Sequence, residues 1–392
     1  MNGNRADTKG LFGQRPTWAE INLDALASNF RAVRERVGPH VEVMAVVKAD
    51  AYGHGAVYCA LRLAREGAKW FAVALPEEAV QLRRAGIDGS ILCLGGFWEG
   101  QAGLCLRESL VPVVYRLDMV DAMDRAARDA GRIADVHVKV DTGMGRLGVR
   151  HDAVREFADA LGRFRNIRVD GLMTHFAAAD NPDRDCITRE QVARFHEAVN
   201  VFRERGYNPT YRDMANSAAT FAHPEAWGNM VRPGGVLYGL WRDILAPAPQ
   251  PPPLLRPVMA VRSRIMLLKR IHRGELLGYG CTFEASRETL VATLPIGYND
   301  GYVRALSNRG RVVVRRGYAS VVGRVSMDLT LVDVTDIPGV SLGDTVTLLG
   351  EDGELSVPAE DIAKTSGTLS YEITCGISKR VPRHYLPGQV EP

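Results

Sequence analysis

The sequence predicts an α/β fold, in which a (β/α)8 barrel is followed by a mostly β domain. From about residue 17 to residue 240, short apolar runs alternate with segments of helical periodicity, as in parallel strands joined by crossover helices. The run PAPQPPP at 247–253 cannot continue a helix or a central strand. Beyond it, β-branched residues alternate with polar ones. At 392 residues the chain also exceeds the usual size of one hydrophobic core.

The first helix is predicted from the spacing of its apolar residues. Asn22 or Asp24 can cap its start, and Gly38 ends it. The apolar positions are separated by 3, 4, 3 and 4 residues, which places them on one helical face. They are Leu23, Leu26, Phe30, Val33 and Val37.

Eight apolar runs are predicted as the barrel strands, and eight is the number that closes such a barrel. In chain order they span 41–48, 70–74, 90–95, 111–115, 135–141, 167–175, 211–216 and 229–232.

The C-terminal region is predicted to consist of strands until a helical pattern returns at about residue 358. Its alternating segments are LVATLPIGY, RVVVRRG, ASVVGRVSMDLTLVDV and DTVTLLG. We therefore expect a flexible tail at 1–16, a barrel at 17–250 and a strand-rich domain at 251–392.

Composition excludes several classes of protein. No run of about 18 apolar residues could span a bilayer, and MNGNRADTKG lacks the apolar stretch of a secretory signal. A net charge of +3 is spread along the chain and forms no concentrated basic stripe of the kind that binds nucleic acid. The six cysteines form no CxxC pair, which argues against structural zinc and a disulfide framework. We expect a cytoplasmic protein with free thiols, no metal site, no nucleic-acid partner and no membrane segment.

Polar residues follow five of the predicted strands, and strand ends form the reactive face of this fold. They are Lys48, Lys139 with Asp141, His175, Asn216 with Ser217, and Arg232 followed by Gly234 and Gly235.

Each of these residues also has a purely structural interpretation. Lys48 ends the apolar run VMAVVK, where desolvation favours a nucleophilic amine, but it could instead pair with Asp50. A Gly-Gly pair can bind a phosphate through its backbone N–H groups or simply form a turn. His175 could be an ordinary strand-end histidine. The basic residues of this chain number 49, of which only seven are lysines, so a lysine inside an apolar strand invites a chemical explanation.

The segment VVKADAYGHG at 46–55 resembles the cofactor-lysine motif of the alanine racemases. Seven further blocks resemble that family in its order, and the similarity covers roughly 17–385. They are VKVDTGMGRLG, LMTHFAAAD, MANS, VRPGGVLYG, PIGYNDGY, GRVSMD and SYEITCGISKRVPR.

The resemblance implies a (β/α)8 TIM barrel with a β domain, and a homodimer whose active sites are shared across the interface. It implies that Lys48 forms an aldimine with pyridoxal 5'-phosphate and that Tyr279, in LLGYG, reaches across from the partner subunit. Racemisation needs acid and base groups on opposite faces of one carbon, because a single base would return its proton to the same face. In the family the lysine serves the D-enantiomer and the tyrosine the L-enantiomer.

The resemblance also assigns the cofactor's other contacts. Arg232 is expected to face the pyridine nitrogen, with His175 bonded behind it. The cofactor-binding set, which includes the phosphate site, comprises Tyr52, Asn216, Ser217, Gly234, Gly235 and Tyr371.

The substrate carboxylate is expected near Arg146, which is oriented by Lys139. Lys139 is carbamylated in many relatives, and its alternative is a simple ion pair with Asp141. The backbone N–H of Met327, again from the partner, should also meet the carboxylate, and Tyr298 should line the entrance. Ser326 and Gly278 stand where many relatives have cysteine and serine. These two departures bear on the range of substrates.

The function that the resemblance implies is interconversion of L-alanine and D-alanine, which supplies D-alanine for peptidoglycan. A broad-specificity or serine-preferring racemase is the main alternative, and alanine catabolism is an alternative role. A fold-related pyridoxal-phosphate decarboxylase would lack the SYEITC and GRVSMD blocks. A non-catalytic pyridoxal-phosphate carrier would need neither a second base nor a β domain.

Overall fold

The computed structural model describes residues 15–245 and 254–386. The proline run at 247–253 and most of the predicted tail at 1–16 lie outside these residues. The described residues divide into two compact units. The barrel unit comprises 25–245 with 254–256, and the strand-rich unit comprises 15–24 with 257–386.

The first 245 residues contain ten strands and eight regular α-helices in their described part. In chain order these are β1 (Thr17–Asn22), α1 (Leu23–Val37), β2 (Glu42–Val46), α2 (Ala56–Arg65), β3 (Trp70–Val73), α3 (Pro76–Arg84), β4 (Ser90–Cys93), α4 (Ala102–Arg107), β5 (Val111–Val114), α5 (Leu117–Asp129), β6 (Ala134–Asp141), β7 (Val149–Arg150), α6 (Val154–Leu161), β8 (Ile167–Met173), α7 (Asp185–Glu204), β9 (Tyr211–Asp213), α8 (Ser217–Ala222) and β10 (Met230–Val231).

Eight of these strands form a closed parallel barrel. The ring runs β2, β3, β4, β5, β6, β8, β9, β10, and β10 pairs back to β2 through Met230 and Glu42. The two-residue strand β7 pairs with β6 outside the ring. The predicted barrel is confirmed, and every predicted strand range overlaps one observed strand. Because the strands are parallel, their carboxyl ends lie at one end of the barrel.

The helix predicted from apolar spacing is α1. Leu26, Phe30 and Val33 on its inner face are buried. The helix ends where Gly38 adopts a φ of 77°, and the N–H of Gly38 donates to the carbonyl of Arg34 at 3.0 Å. A left-handed residue after the last turn is the usual helix stop, and glycine adopts it without steric cost.

A cluster of buried apolar side chains from the ring strands forms a hydrophobic core in the barrel unit. Burial of such side chains is the main driving force for closing the ring. The cluster comprises Met44, Val46, Trp70, Ala72, Leu92, Val111, Val113, Met173 and Met230.

The strand-rich unit is built mainly on one large sheet. Its further elements are β11 (Met259–Arg264), β12 (Leu267–Ile271), β13 (Leu276–Leu277), β14 (Phe283–Glu284), β15 (Thr289–Leu294), β16 (Arg311–Val314), β17 (Gly317–Val321), β18 (Thr330–Asp333), β19 (Thr345–Asp352), β20 (Leu355–Val357), α9 (Ala359–Ser366), α10 (Ser370–Gly376) and β21 (Arg383–Leu386). The sheet order is β12, β15, β18, β17, β16, β19, β11, β1, β21, and β13 pairs with β14 separately.

Strand β1 lies in the strand-rich unit, although we expected the barrel to begin at residue 17. Ala19 pairs with Val261 of β11 on one side and with Arg383 of β21 on the other. A strand of alternating apolar and polar residues can pair with any sheet edge whose backbone N–H and C=O groups are unpaired. Its partner is therefore decided by long-range packing rather than by its own sequence.

Among the described helices, none combines the length and the apolar character needed to cross a membrane.

Candidate active site

The carboxyl ends of the barrel strands hold a cluster of basic side chains. Lys139 is 6% exposed at the end of β6. Burial and, after it, the neighbouring cations lower the pKa of its amine to about 8, while one nearby carboxylate acts in the opposite direction. Those charged neighbours are Arg232, Arg146, Asp213 and Lys48. Four of the predicted site residues therefore lie close enough to influence one another.

His175 belongs to the same cluster. Burial lowers the pKa of its imidazole well below the usual value, and the positive charges around it act in the same direction. They come from Arg232, Lys139, Arg146 and Lys48. His175 is therefore neutral near pH 7 and can accept or donate a hydrogen bond without adding charge.

Lys48 begins a left-handed helical turn that the sequence did not predict. The four residues after it, from Ala49 to Tyr52, have φ between 52° and 55°. For L-residues this conformation costs roughly 1–2 kcal/mol each. Glu78 accepts a hydrogen bond from the N–H of Ala49 at 2.7 Å, and Asp50 accepts one from the N–H of Ala56 at 2.7 Å. These contacts hold the turn that carries Lys48.

The end of this turn, at Tyr52, lies beside the residues predicted to bind the phosphate. A Cβ added to Gly234 would lie 2.3 Å from Tyr52 Oη, so a side chain at this position would have to displace the phenol. The N–H of Gly234 donates to Ser217 Oγ at 2.9 Å. The ring of Tyr52 packs against Tyr238, whose hydroxyl donates to the carbonyl of Val46 at 3.0 Å. Two predicted strand ends therefore converge on Tyr52.

Asn216 caps the helix that follows β9, and Gly235 starts the next turn. The Asn216 side chain accepts a hydrogen bond from the N–H of Ala219 at 3.0 Å, at the start of α8. Gly235 is the first residue of a buried 3-10 turn that ends at Tyr238. In this arrangement both residues shape the backbone around Ser217 and Gly234.

Arg232 is 4% exposed and its guanidinium is held by several acceptors. Nη1 donates to Asp213 Oδ1, and Nη2 donates to the carbonyls of Thr174 at 2.7 Å and Met214 at 3.2 Å. The predicted neighbour His175 lies with Nδ1 3.4 Å from Nη2. A guanidinium fixed in this way presents its remaining donors in one orientation.

The strand-rich unit carries Tyr279 on an exposed turn. Tyr279 is 72% exposed at the start of the 3-10 turn Tyr279–Cys281. Gly280, with a φ of 72°, packs under the guanidinium of Arg324, where a Cβ would lie 2.9 Å from Nη1. The amide of Asn308 donates to the carbonyl of Thr282 at 3.1 Å and accepts from the N–H of Gly323 at 2.6 Å. The turn is therefore held by defined contacts although its phenol is exposed.

The loop with Met327 packs against the turn with Tyr298. The N–H of Tyr298 donates to the carbonyl of Ser326 at 3.0 Å, and that of Asn299 donates to the carbonyl of Met327 at 3.1 Å. Met327 is 51% exposed and Tyr298 is 41% exposed. Tyr371 is half-buried on α10 in the same unit.

Sequence reasoning missed Asp213, Glu78 and Asn308. Asp213 carried a usable signal, because a carboxylate inside a barrel strand is as unusual as the lysine in β6. Glu78 lies in a helix and Asn308 lies in a loop, where acidic and amide residues are ordinary. Their contacts depend on residues 29 and 26 positions away, so no local pattern indicates them.

Two family models match the chain. "Alanine racemase, N-terminal domain" matches residues 21–241, and "Alanine racemase, C-terminal domain" matches residues 258–385. The alanine racemase of Halothermothrix orenii is 43% identical over 95% of this chain and 97% of its own. That of Geobacter sulfurreducens is 44% identical with the same coverage.

A solved structure is also similar over nearly the whole chain. It is the crystal structure of alanine racemase from D-cycloserine-producing Streptomyces lavendulae, which is 36% identical and has a TM-score of 0.87. The match covers 96% of this chain and 98% of that one.

Proposed function

The chain belongs to the alanine racemase family, and we propose that its barrel binds pyridoxal phosphate on Lys48 and interconverts L- and D-alanine with Tyr279 of a second copy. The observation that carries this proposal is the basic cluster at the carboxyl ends of the barrel strands. The charges of Lys48 and Arg232 both act on Lys139 and on His175 there. The Ser217 hydroxyl, beside the N–H of Gly234, offers a hydrogen-bond donor to an anion.

The residues at this end of the barrel fit pyridoxal phosphate. A doubly charged phosphate suits the hydroxyls of Tyr52 and Ser217 and the backbone N–H groups around Gly234 and Gly235, which have no side chains of their own. Tyr371 would add a further phenol. When bound, the cofactor supplies an electron sink that makes the Cα–H of the attached amino acid acidic. Arg232 would meet the pyridine nitrogen, which it leaves unprotonated because guanidinium keeps its protons.

The two bases then act on opposite faces of one carbon. The Lys48 amine takes or returns a proton on one face, and the Tyr279 phenol does so on the other. An L-amino acid becomes a D-amino acid when one base removes the proton and the other delivers a different one. Both groups are needed in each direction, since each is the base in one direction and the acid in the other.

We assign the substrate carboxylate to Arg146, and Lys139 is suited to carbamylation. A pKa of about 8 leaves a useful fraction of the Lys139 amine neutral near physiological pH. The neutral amine adds carbon dioxide to form an N–C bond and releases one proton. The product is an anion, which would replace repulsion with attraction toward Arg146 and Arg232.

A homodimer is the arrangement that would bring Tyr279 to a barrel. Tyr279, Met327 and Tyr298 are large side chains left exposed on loops that are otherwise well anchored. Exposed apolar and aromatic groups on ordered loops mark interaction surfaces. By family, the enzyme would act in the cytoplasm and supply D-alanine for peptidoglycan.

Two measurements on the purified protein test the proposal. Incubation with pyridoxal phosphate should produce a visible absorption band that persists after desalting. A panel of L-amino acids with chiral product analysis should show D-alanine forming fastest. Comparable rates for serine and other amino acids would favour the broad-specificity alternative, and optically unchanged L-alanine would refute the proposal.

A further inference from the structure

A buried carboxylate and a buried imidazole lie beneath the basic cluster, and the proposed reaction does not use either of them. Asp213 on β9 and His137 on β6 have no exposed surface. His137 precedes Lys139 by two residues, so both point to the same face of β6. The pair therefore forms a second layer behind Lys139 and Arg232.

Asp213 supplies negative charge in a site that is otherwise positive. Four charged side chains in the described part of the chain shift the pKa of Lys139, and three of them are cations. The fourth is Asp213. The Asp141 carboxylate, which lies nearby in sequence, instead accepts hydrogen bonds from the N–H groups of Gly143 and Gly145 in its own loop.

The two oxygens of Asp213 have different neighbours. Oδ1 accepts a hydrogen bond from Arg232 Nη1. Oδ2 accepts no hydrogen bond from the described residues and lies 3.4 Å from Nδ1 of His137. Both ring nitrogens of His137 also lack a hydrogen-bond partner among those residues. Two buried, unsatisfied polar groups that face each other are costly to keep apart, and a shift of a few tenths of an ångström would pair them.

The packing around His137 leaves its imidazole ring little freedom to rotate. A Cβ at Gly171 would lie 2.4 Å from the ring, so the imidazole rests directly on the backbone of β8. The rings of Trp70 and Tyr211, which also contact each other, pack against the imidazole with centroids at 5.5 Å and 6.0 Å. His137 is therefore held with Nδ1 toward Asp213.

We propose that Asp213 is the positioning residue that fixes Arg232 and offsets the positive charge of the basic cluster, and that His137 holds Asp213 through Nδ1. This inference rests on the proposed function, because Arg232 matters for catalysis only if it faces the cofactor. It adds a chain of contacts from the core of the barrel to the site. Arg232 is fixed by its ion pair, and that ion pair is fixed by the imidazole.

Asp213→Asn tests the charge, because asparagine keeps the size and an acceptor for Arg232. Asp135→Asn is the matched control, since Asp135 forms an exposed ion pair with Arg168 between neighbouring barrel strands. Without this counter-ion the apoprotein should bind inorganic phosphate severalfold more tightly, because one negative charge is removed from beside the basic cluster. In the holoenzyme kcat should fall tenfold or more with little change in KM, and the visible band should shift.

His137→Asn and His137→Phe test the second contact without touching Asp213. Asparagine can place an N–H near the position of Nδ1, whereas phenylalanine fills the space without a donor. We expect His137→Asn to keep most of the wild-type kcat and band position, and His137→Phe to resemble Asp213→Asn in both. If Asp213→Asn fails to fold, these two variants still test whether the contact between His137 and Asp213 supports the reaction.

The outcomes separate this inference from the proposed function. A wild-type protein that binds no pyridoxal phosphate and leaves alanine unchanged refutes the proposed function itself. An active wild type in which Asp213→Asn matches Asp135→Asn, in phosphate affinity, band position and kcat, overturns the inference alone. Equal behaviour of the two His137 variants overturns the part assigned to the imidazole.

Discussion

The hydroxyl of Tyr52 lies against the α-carbon of Gly234, so closely that a Cβ there would be 2.3 Å from Oη. The contact joins the turn after β2 to the turn after β10, and both turns contribute to the proposed phosphate site. The space beside the Tyr52 hydroxyl therefore disfavours any side chain at position 234.

Gly234→Ala should therefore weaken cofactor binding by displacing Tyr52. We expect the dissociation constant of pyridoxal phosphate, measured by fluorescence quenching of the apoprotein, to rise about 5- to 150-fold, because overpacking typically costs about 1–3 kcal/mol. In a Tyr52→Phe background the added methyl group should do less harm, because the clashing hydroxyl is gone. Equal losses in both backgrounds would show that the two residues are not coupled.

Mixing Lys48→Ala with Tyr279→Phe subunits should restore activity if the site is shared. Each variant alone lacks one base, but a hybrid dimer has one site with both. Random subunit exchange should give about one quarter of the wild-type rate, since half of the dimers are hybrids with one complete site in two. Activity is measured before and after exchange. No recovery, with hybrid formation verified, would contradict a shared site.

Lys139 should make stability depend on pH between its folded and unfolded pKa values. The pKa of Lys139 in the folded protein, about 8, lies below the ordinary lysine value of 10.5, so the unfolded state binds more protons between these two pH values. Stability in carbon-dioxide-free buffer should rise as pH rises from 8 to 10.5, and Lys139→Met should remove this rise. Lys69→Met, at an exposed lysine, is the control. The free energy of unfolding is measured by urea titration at several pH values. If it depended on pH in Lys139→Met as it does in wild type, the pH dependence would not come from Lys139.

Carbamylation of Lys139 should be visible by carbon NMR. Protein exchanged into ¹³C-bicarbonate should show a carbamate signal that disappears in Lys139→Gln and persists in Lys69→Gln. Acidification should remove the signal, since protonation of the carbamate releases carbon dioxide. A wild-type spectrum without the signal would indicate that Lys139 acts as a free amine.

His175 should remain neutral across the range in which histidine usually titrates. Burial and four neighbouring cations lower its pKa well below the usual value. Its ring signals, assigned by comparison with His175→Gln, should not move between about pH 5 and 8, whereas the signal of exposed His272, whose pKa is raised by Glu288, should move. A His175 titration near pH 6.5 would show that the cluster is less positive than its geometry indicates.

Glycine should not destabilise the left-handed turn after Lys48, although it destabilises right-handed helices. Ala49→Gly removes the steric cost of a φ of 52° and should leave the apoprotein at least as stable as wild type. Ala60→Gly, inside α2, is the control and should cost at least about 1 kcal/mol, because it loses helix propensity and a buried methyl group. We expect Ala49→Gly to lower kcat nonetheless, because a looser turn places Lys48 less reproducibly. Thermal melts and steady-state rates measure both effects, and a stability loss equal to that of Ala60→Gly would contradict this account.

The sequence by itself determined the barrel, the strand-rich region and the identity of the basic side chains at the strand ends. Apolar runs, helical spacing and turn residues are local patterns, so they can be read without knowing the partners of each strand. Lys48, Lys139, His175 and Arg232 were found for this reason, because parallel strands must bring their carboxyl ends together.

Only the tertiary structure decided which groups face one another within that frame. Strand β1 pairs with β11 and β21, Asp213 binds Arg232, and Asn308 holds the turn that carries Tyr279. Each contact joins residues that are far apart in the chain, and its stability depends on burial and on the charges nearby. The low pKa values of Lys139 and His175 have the same origin, since they arise from desolvation and from several cations gathered by the closed barrel.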